Sequence, residues 1–280
     1  MKDYTIGLYE KAMPGTLSWR EKMAAAGKAG YDFIEISIDE TDEKLERLDM
    51  GRAERRKLVE LMLETGLPIR TMCLSGHRKY PLGSESEAVR ERGMQIMEKA
   101  LILAGDLGIR IIQLAGYDVY YEQGNERTRA LFLENLRKAA DMAAARGILL
   151  GFETMETEFM NTVQKAMEIV RRMDSAYLNV YPDLGNITNA AADSGGNVQD
   201  DLETGQGRII AMHLKETVPG KFREIPFGTG HVDFEKGIRK AWELGVRRYV
   251  TEFWYTGSPD WEQDLDYVAR TMSAILDRQS

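Results

Sequence analysis

The chain has 280 residues, with 37 Lys+Arg against 45 Asp+Glu for a formal net charge of −8, and it is 43% hydrophobic and 29% charged. That is a globular composition with material for a sizeable core, which excludes disordered and fibrous classes, and its acidic balance argues against a nucleic-acid partner. Cys73 is the only cysteine and His77, His213 and His231 are the only histidines, so an intrachain disulfide and a cysteine-based zinc site are excluded and any metal site must rest largely on carboxylates.

Apolar, β-branched runs of about six residues alternate with longer amphipathic stretches from end to end, the pattern of repeated βαβ units. In chain order the expected strands cover 4–9, 33–38, 69–75, 111–116, 148–153, 178–183, 209–215 and 249–253. Between them lie helical patterns such as 86–107 and 126–146, with apolar residues three and four apart. Gly30, Gly66, Gly108, Gly147 and Gly245 stand where left-handed helix caps would end each helix before the next strand. The Gly/Asp/Asn-rich stretch 192–201 reads as a loop or short helix after strand six. Eight strand and helix repeats in this length fit an α/β fold, a single (β/α)8 TIM barrel over 1–280, better than a doubly wound sheet. No apolar run approaches the roughly 20 residues of a membrane span. The segment 1–7 meets charged Glu10 and Lys11 before any apolar leader core. A cytoplasmic protein with no membrane partner is therefore expected.

In such a barrel the active site forms at the C-terminal ends of the strands. There strand five ends in Glu153, strand six in Asp183 and strand eight in Glu252, while strand seven carries His213. One acid at a strand end is commonly a helix cap or an ion-pair partner. Four converging on one mouth would repel unless a cation lay between them. Three carboxylates and an imidazole suit Mn²⁺, Mg²⁺ or Co²⁺, and the imidazole admits Zn²⁺. Such a metal, holding a hydroxy-ketone through its carbonyl and hydroxyl oxygens, would stabilise an enediolate. Inversion of a carbon needs acid/base groups on both faces, and Glu153 and Glu252 form the natural pair.

The blocks Gly7-Leu8-Tyr9-Glu10-Lys11-Ala12, Ser37-Ile38-Asp39-Glu40-Thr41-Asp42-Glu43, Met72-Cys73-Leu74-Ser75-Gly76-His77-Arg78, Gln113-Leu114-Ala115-Gly116-Tyr117-Asp118-Val119-Tyr120-Tyr121, Tyr181-Pro182-Asp183-Leu184-Gly185-Asn186 and His213-Leu214-Lys215-Glu216-Thr217 run in order. Together they resemble the L-ribulose-5-phosphate 3-epimerase (L-xylulose-5-phosphate 3-epimerase) family of xylose-isomerase-like barrels. The resemblance implies one divalent metal on Glu153, Asp183, His213 and Glu252, with the two glutamates exchanging the C3 proton. It also implies interconversion of L-xylulose 5-phosphate and L-ribulose 5-phosphate in ascorbate or pentose catabolism, and a homodimer. Glu156 stands where the family usually has Asp, which lengthens a group expected at a substrate hydroxyl.

A phosphate needs a cationic or amide-rich pocket. The candidates are Lys215, Lys221 and Arg223, with Ser75, Gly76, His77 and Arg78 after strand three. Asn186 is placed to bond a substrate hydroxyl or to cap a helix, and Trp254, with Tyr9, Tyr117 and Tyr255, to wall the sugar. His231 reads as a surface or capping residue and Cys73 as core. The rival readings are a hexulose-6-phosphate isomerase, a free-ketose 3-epimerase, a non-catalytic sugar-phosphate-binding barrel and an abasic-site endonuclease, the last disfavoured by so few histidines and the acidic charge.

Overall fold

A computed structural model describes residues 2–279. Strands β1 (Thr5–Tyr9), β2 (Phe33–Ile38), β3 (Ile69–Leu74), β4 (Ile111–Ala115), β5 (Leu149–Glu153), β6 (Leu178–Val180), β7 (Met212–Leu214) and β8 (Arg248–Thr251) lie parallel in one sheet, in the order β6-β5-β4-β3-β2-β1-β8-β7. The free edges of β6 and β7 meet through the parallel bridges Val180–Ile209 and Asp183–His213. The architecture is a TIM barrel. Its seam is ragged because Pro182 has no N–H to give a ladder. The strands expected over 178–183 and 209–215 therefore shorten to three residues each, and Pro182 contributes only its carbonyl, which accepts from His213 N at 2.9 Å.

The connections carry α1 (Trp19–Lys28), α2 (Asp42–Glu46), α3 (Arg52–Thr65), α4 (Glu87–Leu107), α5 (Glu126–Ala144), α6 (Val163–Met173), α7 (Leu184–Ser194), α8 (Val198–Glu203), α9 (Phe234–Glu243) and α10 (Trp261–Asp277). Two connections hold a pair of helices, α2 with α3 and α7 with α8, the second matching the short helix that the sequence allowed after strand six. The stretch 192–201 is one of these: α7 ends at Gly195 (φ 70°), and Asn197 then starts α8 by accepting from Gln199 N at 2.8 Å and Asp200 N at 3.0 Å. Gly66 (φ 69°) and Gly108 (φ 77°) cap α3 and α4 in the left-handed region, where a side chain would be strained. Asp233, not His231, caps α9, accepting from Lys236 N at 3.0 Å. The His231 ring is half-buried and pairs with Asn189 Oδ1 at 2.9 Å.

Strand pleating divides the apolar residues into two cores. In β2, Ile34, Ile36 and Ile38 are fully buried in the layer between strands and helices, each worth about 1.5–3 kcal/mol by removal from water. Phe33, on the alternate face, joins Tyr9, Cys73, Ile111, Tyr181, Ala211 and Val250 inside the barrel. Gly7 is required there, because a Cβ at that position would lie 2.3 Å from the Phe33 ring. Cys73 is core, as expected. This inner cluster is the floor on which the polar residues of the mouth rest.

Candidate metal centre and active site

Each expected ligand reaches the mouth by a different local device. Glu153 is the last residue of β5. Asp183 is the N-cap of α7, its Oδ1 accepting from Asn186 N at 2.6 Å, which leaves Oδ2 free to face the barrel. His213 sits in the middle of β7, and Glu252 follows β8, held by its backbone N–H donating to Leu214 O at 2.9 Å. The four side chains are buried and offer ligand atoms that all lie within 4.8 Å of one another.

Such crowding perturbs every charge. His213 Nδ1 lies 3.2 Å from Glu153 Oε1, 3.2 Å from Glu252 Oε2 and 4.0 Å from Asp183 Oδ2. Lys215 Nζ stands 3.2 Å from Asp183 Oδ2 and 3.6 Å from Glu252 Oε2. Burial pushes the Asp183 carboxyl up to about 8; Lys215 opposes the rise while Glu252 and Glu153 reinforce it. Burial and the neighbouring Glu252 charge likewise raise Glu153. Burial would raise Glu252 as well, but Lys215 and His213 outweigh it and hold that carboxyl well below its ordinary range. For His213, burial is overcome by the Glu35 and Glu252 carboxylates, and its pKa rises. Asp183 Oδ2 and Glu252 Oε2 are buried with no hydrogen-bond partner. Orphaned carboxylate oxygens are costly, and a divalent cation among three carboxylates and an imidazole would satisfy them. The residues present fit a metal.

Three polar residues beneath this group escaped the sequence reading. Glu35 of β2 is fully buried and accepts from His213 Nε2 at 2.6 Å and from the Tyr181 hydroxyl at 2.9 Å. Gln113 of β4 donates its amide N–H to Glu153 Oε2. Thr154 accepts from Asp183 N at 3.0 Å and, through its carbonyl, from the Asn186 amide at 2.7 Å, tying the ends of β5 and β6 together. The available signal for Glu35 was a charged residue inside a six-residue apolar strand, on the face of alternation opposite the isoleucines.

The expected substrate-binding residues divide. Arg223 donates to Glu156 Oε1 at 2.8 Å, and Glu156 also accepts from Tyr117 at 3.1 Å and Tyr120 at 3.1 Å. Burial would raise Glu156, but the Arg223 charge prevails and lowers it. Arg78 joins this group, its guanidinium 4.9 Å from the Tyr120 ring centroid and 3.4 Å from the Tyr117 hydroxyl, with Nε buried and unpartnered. Trp254 packs edge-on to Tyr9 at 6.1 Å beside the same mouth. The other cationic candidates sit in different surroundings. Lys215 is buried against Asp183 and Glu252. The His77 ring is buried on the Gly93 carbonyl at 3.0 Å, and burial lowers its pKa to about 4, so it is neutral at pH 7. Lys221 has an exposed side chain, and its backbone forms a bridge with Val218. Ser75 is buried at the end of β3, and Asn186, whose amide N–H is committed to Thr154, keeps an unpartnered buried Oδ1. Tyr255 is exposed.

Among the described residues no helix is long and apolar enough to cross a membrane. Residues 23–271 match the family described as xylose isomerase-like TIM barrel. The sequence is 44% identical over 254 residues to the L-ribulose-5-phosphate 3-epimerase UlaE of Salmonella heidelberg (strain SL476), covering 90% of this chain and 88% of that one. It is 43% identical over 260 residues to the UlaE of Escherichia coli (strain SMS-3-5 / SECEC), covering 92% and 90%. Among solved structures, an L-ribulose 3-epimerase superimposes with a TM-score of 0.82 at 18% identity, covering 99% of this chain and 95% of that one. The D-allulose 3-epimerase of Methylomonas sp. in complex with D-allulose does so with 0.78 at 20% identity, covering 100% and 98%. A mouth of three carboxylates and one imidazole on a TIM barrel, joined to these likenesses, places the chain in the xylose isomerase-like TIM barrel family, among the L-ribulose-5-phosphate 3-epimerases, and makes it an isomerase.

Proposed function

We propose that the chain interconverts L-ribulose 5-phosphate and L-xylulose 5-phosphate by inverting C3, with Glu153 and Glu252 exchanging the proton. The observation that carries this reading is the convergence of Glu153, Asp183, His213 and Glu252 within 4.8 Å at the barrel mouth. Relatives 43–44% identical and named for that epimerisation support it. A divalent cation on these four residues, Mn²⁺, Co²⁺, Mg²⁺ or Zn²⁺, supplies charge stabilisation for the ketose oxygens as the C3 proton leaves. Glu153 and Glu252 flank the β6–β7 seam from β5 and β8, so they approach a substrate between them from opposite sides. Inversion requires an ionised carboxylate on one face and a proton-bearing one on the other. Asp183 and His213 hold the cation, and Asn186 directs its free Oδ1 to a sugar hydroxyl.

The phosphate falls to Arg223 and Arg78, which are linked at the rim through Glu156, held by Arg223, and Tyr117, which joins Glu156 to Arg78. Glu156 orients Arg223, and Trp254 walls the sugar. One cytoplasmic domain assembled as a homodimer completes the proposal, with sedimentation velocity as the test of assembly. Activity is tested with a coupled assay of L-xylulose 5-phosphate against hexulose 6-phosphates and free ketoses, using the chelated protein reloaded with each metal. The pentulose phosphate is expected to have the highest kcat/KM and chelation to abolish turnover. A higher kcat/KM for a free ketose, or turnover indifferent to chelation, would overturn the reading.

A further inference from the structure

Glu35 is a carboxylate at 0% exposure, held in β2 between the ladder partners Tyr9 and Thr71. Among the described residues no Lys or Arg lies within ion-pair distance of it; its one ionic contact is His213. A buried carboxylate without a cation is expensive, and an apolar side chain of similar volume would cost nothing comparable. Its role must therefore be sought in what it does to His213, 178 positions away in sequence. At 2.6 Å the Glu35 Oε1 and the imidazole Nε2 are bound to one another, so that ring nitrogen is turned away from the cluster and committed to Glu35. Nδ1 is then the ring nitrogen that faces Glu153 and Glu252, at 3.2 Å from an oxygen of each. The second Glu35 oxygen is pinned by the Tyr181 hydroxyl at 2.9 Å, and the Tyr181 ring packs 4.8 Å from the imidazole centroid.

We infer that Glu35 is a positioning residue: with Tyr181 behind it, it fixes the His213 ring and tautomer so that Nδ1, not Nε2, is offered to the cation. The inference rests on the metal-centre reading above. The carboxylate also strengthens the imidazole as a donor, an effect whose removal typically weakens metal affinity 10- to 100-fold.

Two readouts test it, neither of them turnover. In ¹⁵N spectra of the wild-type protein loaded with Zn²⁺, with the His213 signals identified by a His213→Asn control, Nε2 should carry the proton and Nδ1 should shift on loading. In Co²⁺ titrations, Glu35→Gln should bind about 10- to 100-fold more weakly than wild type. Tyr181→Phe, which keeps the ring, should bind severalfold more weakly and serves if Glu35→Gln does not fold. Coordination through Nε2, or folded variants binding Co²⁺ as tightly as wild type, would overturn the role of Glu35. An Asp183→Asn control separates the two failures. If it too binds Co²⁺ like wild type, or if wild type binds none, the metal centre itself is wrong and Glu35's role falls with it. If only Asp183→Asn loses affinity, the centre stands and the Glu35 inference fails alone.

Discussion

Replacing Lys215 by Met removes an ammonium that lies 3.2 Å from Asp183 Oδ2 and 3.6 Å from Glu252 Oε2, all three groups being buried. The methionine fills much of the same volume, so the loss is chiefly one of charge. Breaking a buried ion pair by deleting one partner costs about 3–5 kcal/mol, because the partner left behind, here the Glu252 carboxylate that Lys215 helps to keep ionised, stays desolvated and unpaired. A chain of 280 residues unfolds with an entropy of about 0.6 kcal/mol/K near 60 °C, so the deficit corresponds to a Tm lower by about 5–8 °C. The measurement is calorimetry or circular dichroism in the presence of chelator. A divalent cation stabilises both proteins by mass action, and it should narrow the gap to the extent that the variant, freed of the competing ammonium, binds it more tightly. A variant whose chelated Tm lies within about 1 °C of wild type would refute the reasoning, because it would mean that Lys215 does not neutralise Glu252.

Three further outcomes follow from the same geometry. Arg223→Ala or Arg78→Ala should raise KM for the phosphorylated pentulose more than for the free sugar, by roughly tenfold for a lost charge-assisted contact; equal effects in steady-state kinetics would remove them from the phosphate. Burial lifts the Asp183 carboxyl to about 8, so the protein holds a proton there at neutral pH that a cation must displace. Cation affinity should therefore rise with pH up to about 8, and calorimetric titration in buffers of different ionisation enthalpy should find a proton released. The His77 pKa falls from 6.5 to about 4 on folding. As the pH drops through that window the unfolded chain takes up a proton that the native ring refuses, so stability is lost by up to about 3 kcal/mol between pH 6.5 and 4. His77→Gln, whose amide can still donate to the Gly93 carbonyl, should flatten that part of the denaturation profile.

The alternation of short apolar runs with amphipathic stretches made the barrel legible, because each strand buried on both faces must be apolar nearly throughout. That same rule makes Glu153, Asp183, His213 and Glu252 conspicuous, as polar residues at or near the C-terminal ends of such runs. Glu35 and Gln113 obey the rule less visibly. They sit inside strands, and only the assembled barrel places Glu35 opposite His213. The rim is less legible still: Arg223 meets Glu156 across 67 positions through loops whose paths no local pattern dictates. His77 illustrates the opposite error. Its place after β3 suggested an anion ligand, but helix α4 packs over it and its ring is consumed by the Gly93 carbonyl. The shortened β6 and β7 follow from Pro182, whose missing N–H was in plain view, but whose consequence depended on the closure of the sheet at that point.

The most direct measurement is the fate of the C3 hydrogen. With L-ribulose 5-phosphate in D₂O and the cation-loaded protein, proton NMR should find deuterium entering C3 of both product and recovered substrate, in wild type but not in Glu153→Gln or Glu252→Gln, and not after chelation. Turnover with the C3 hydrogen fully retained, or exchange that survives either substitution at near-normal rate, would contradict proton transfer by these two carboxylates.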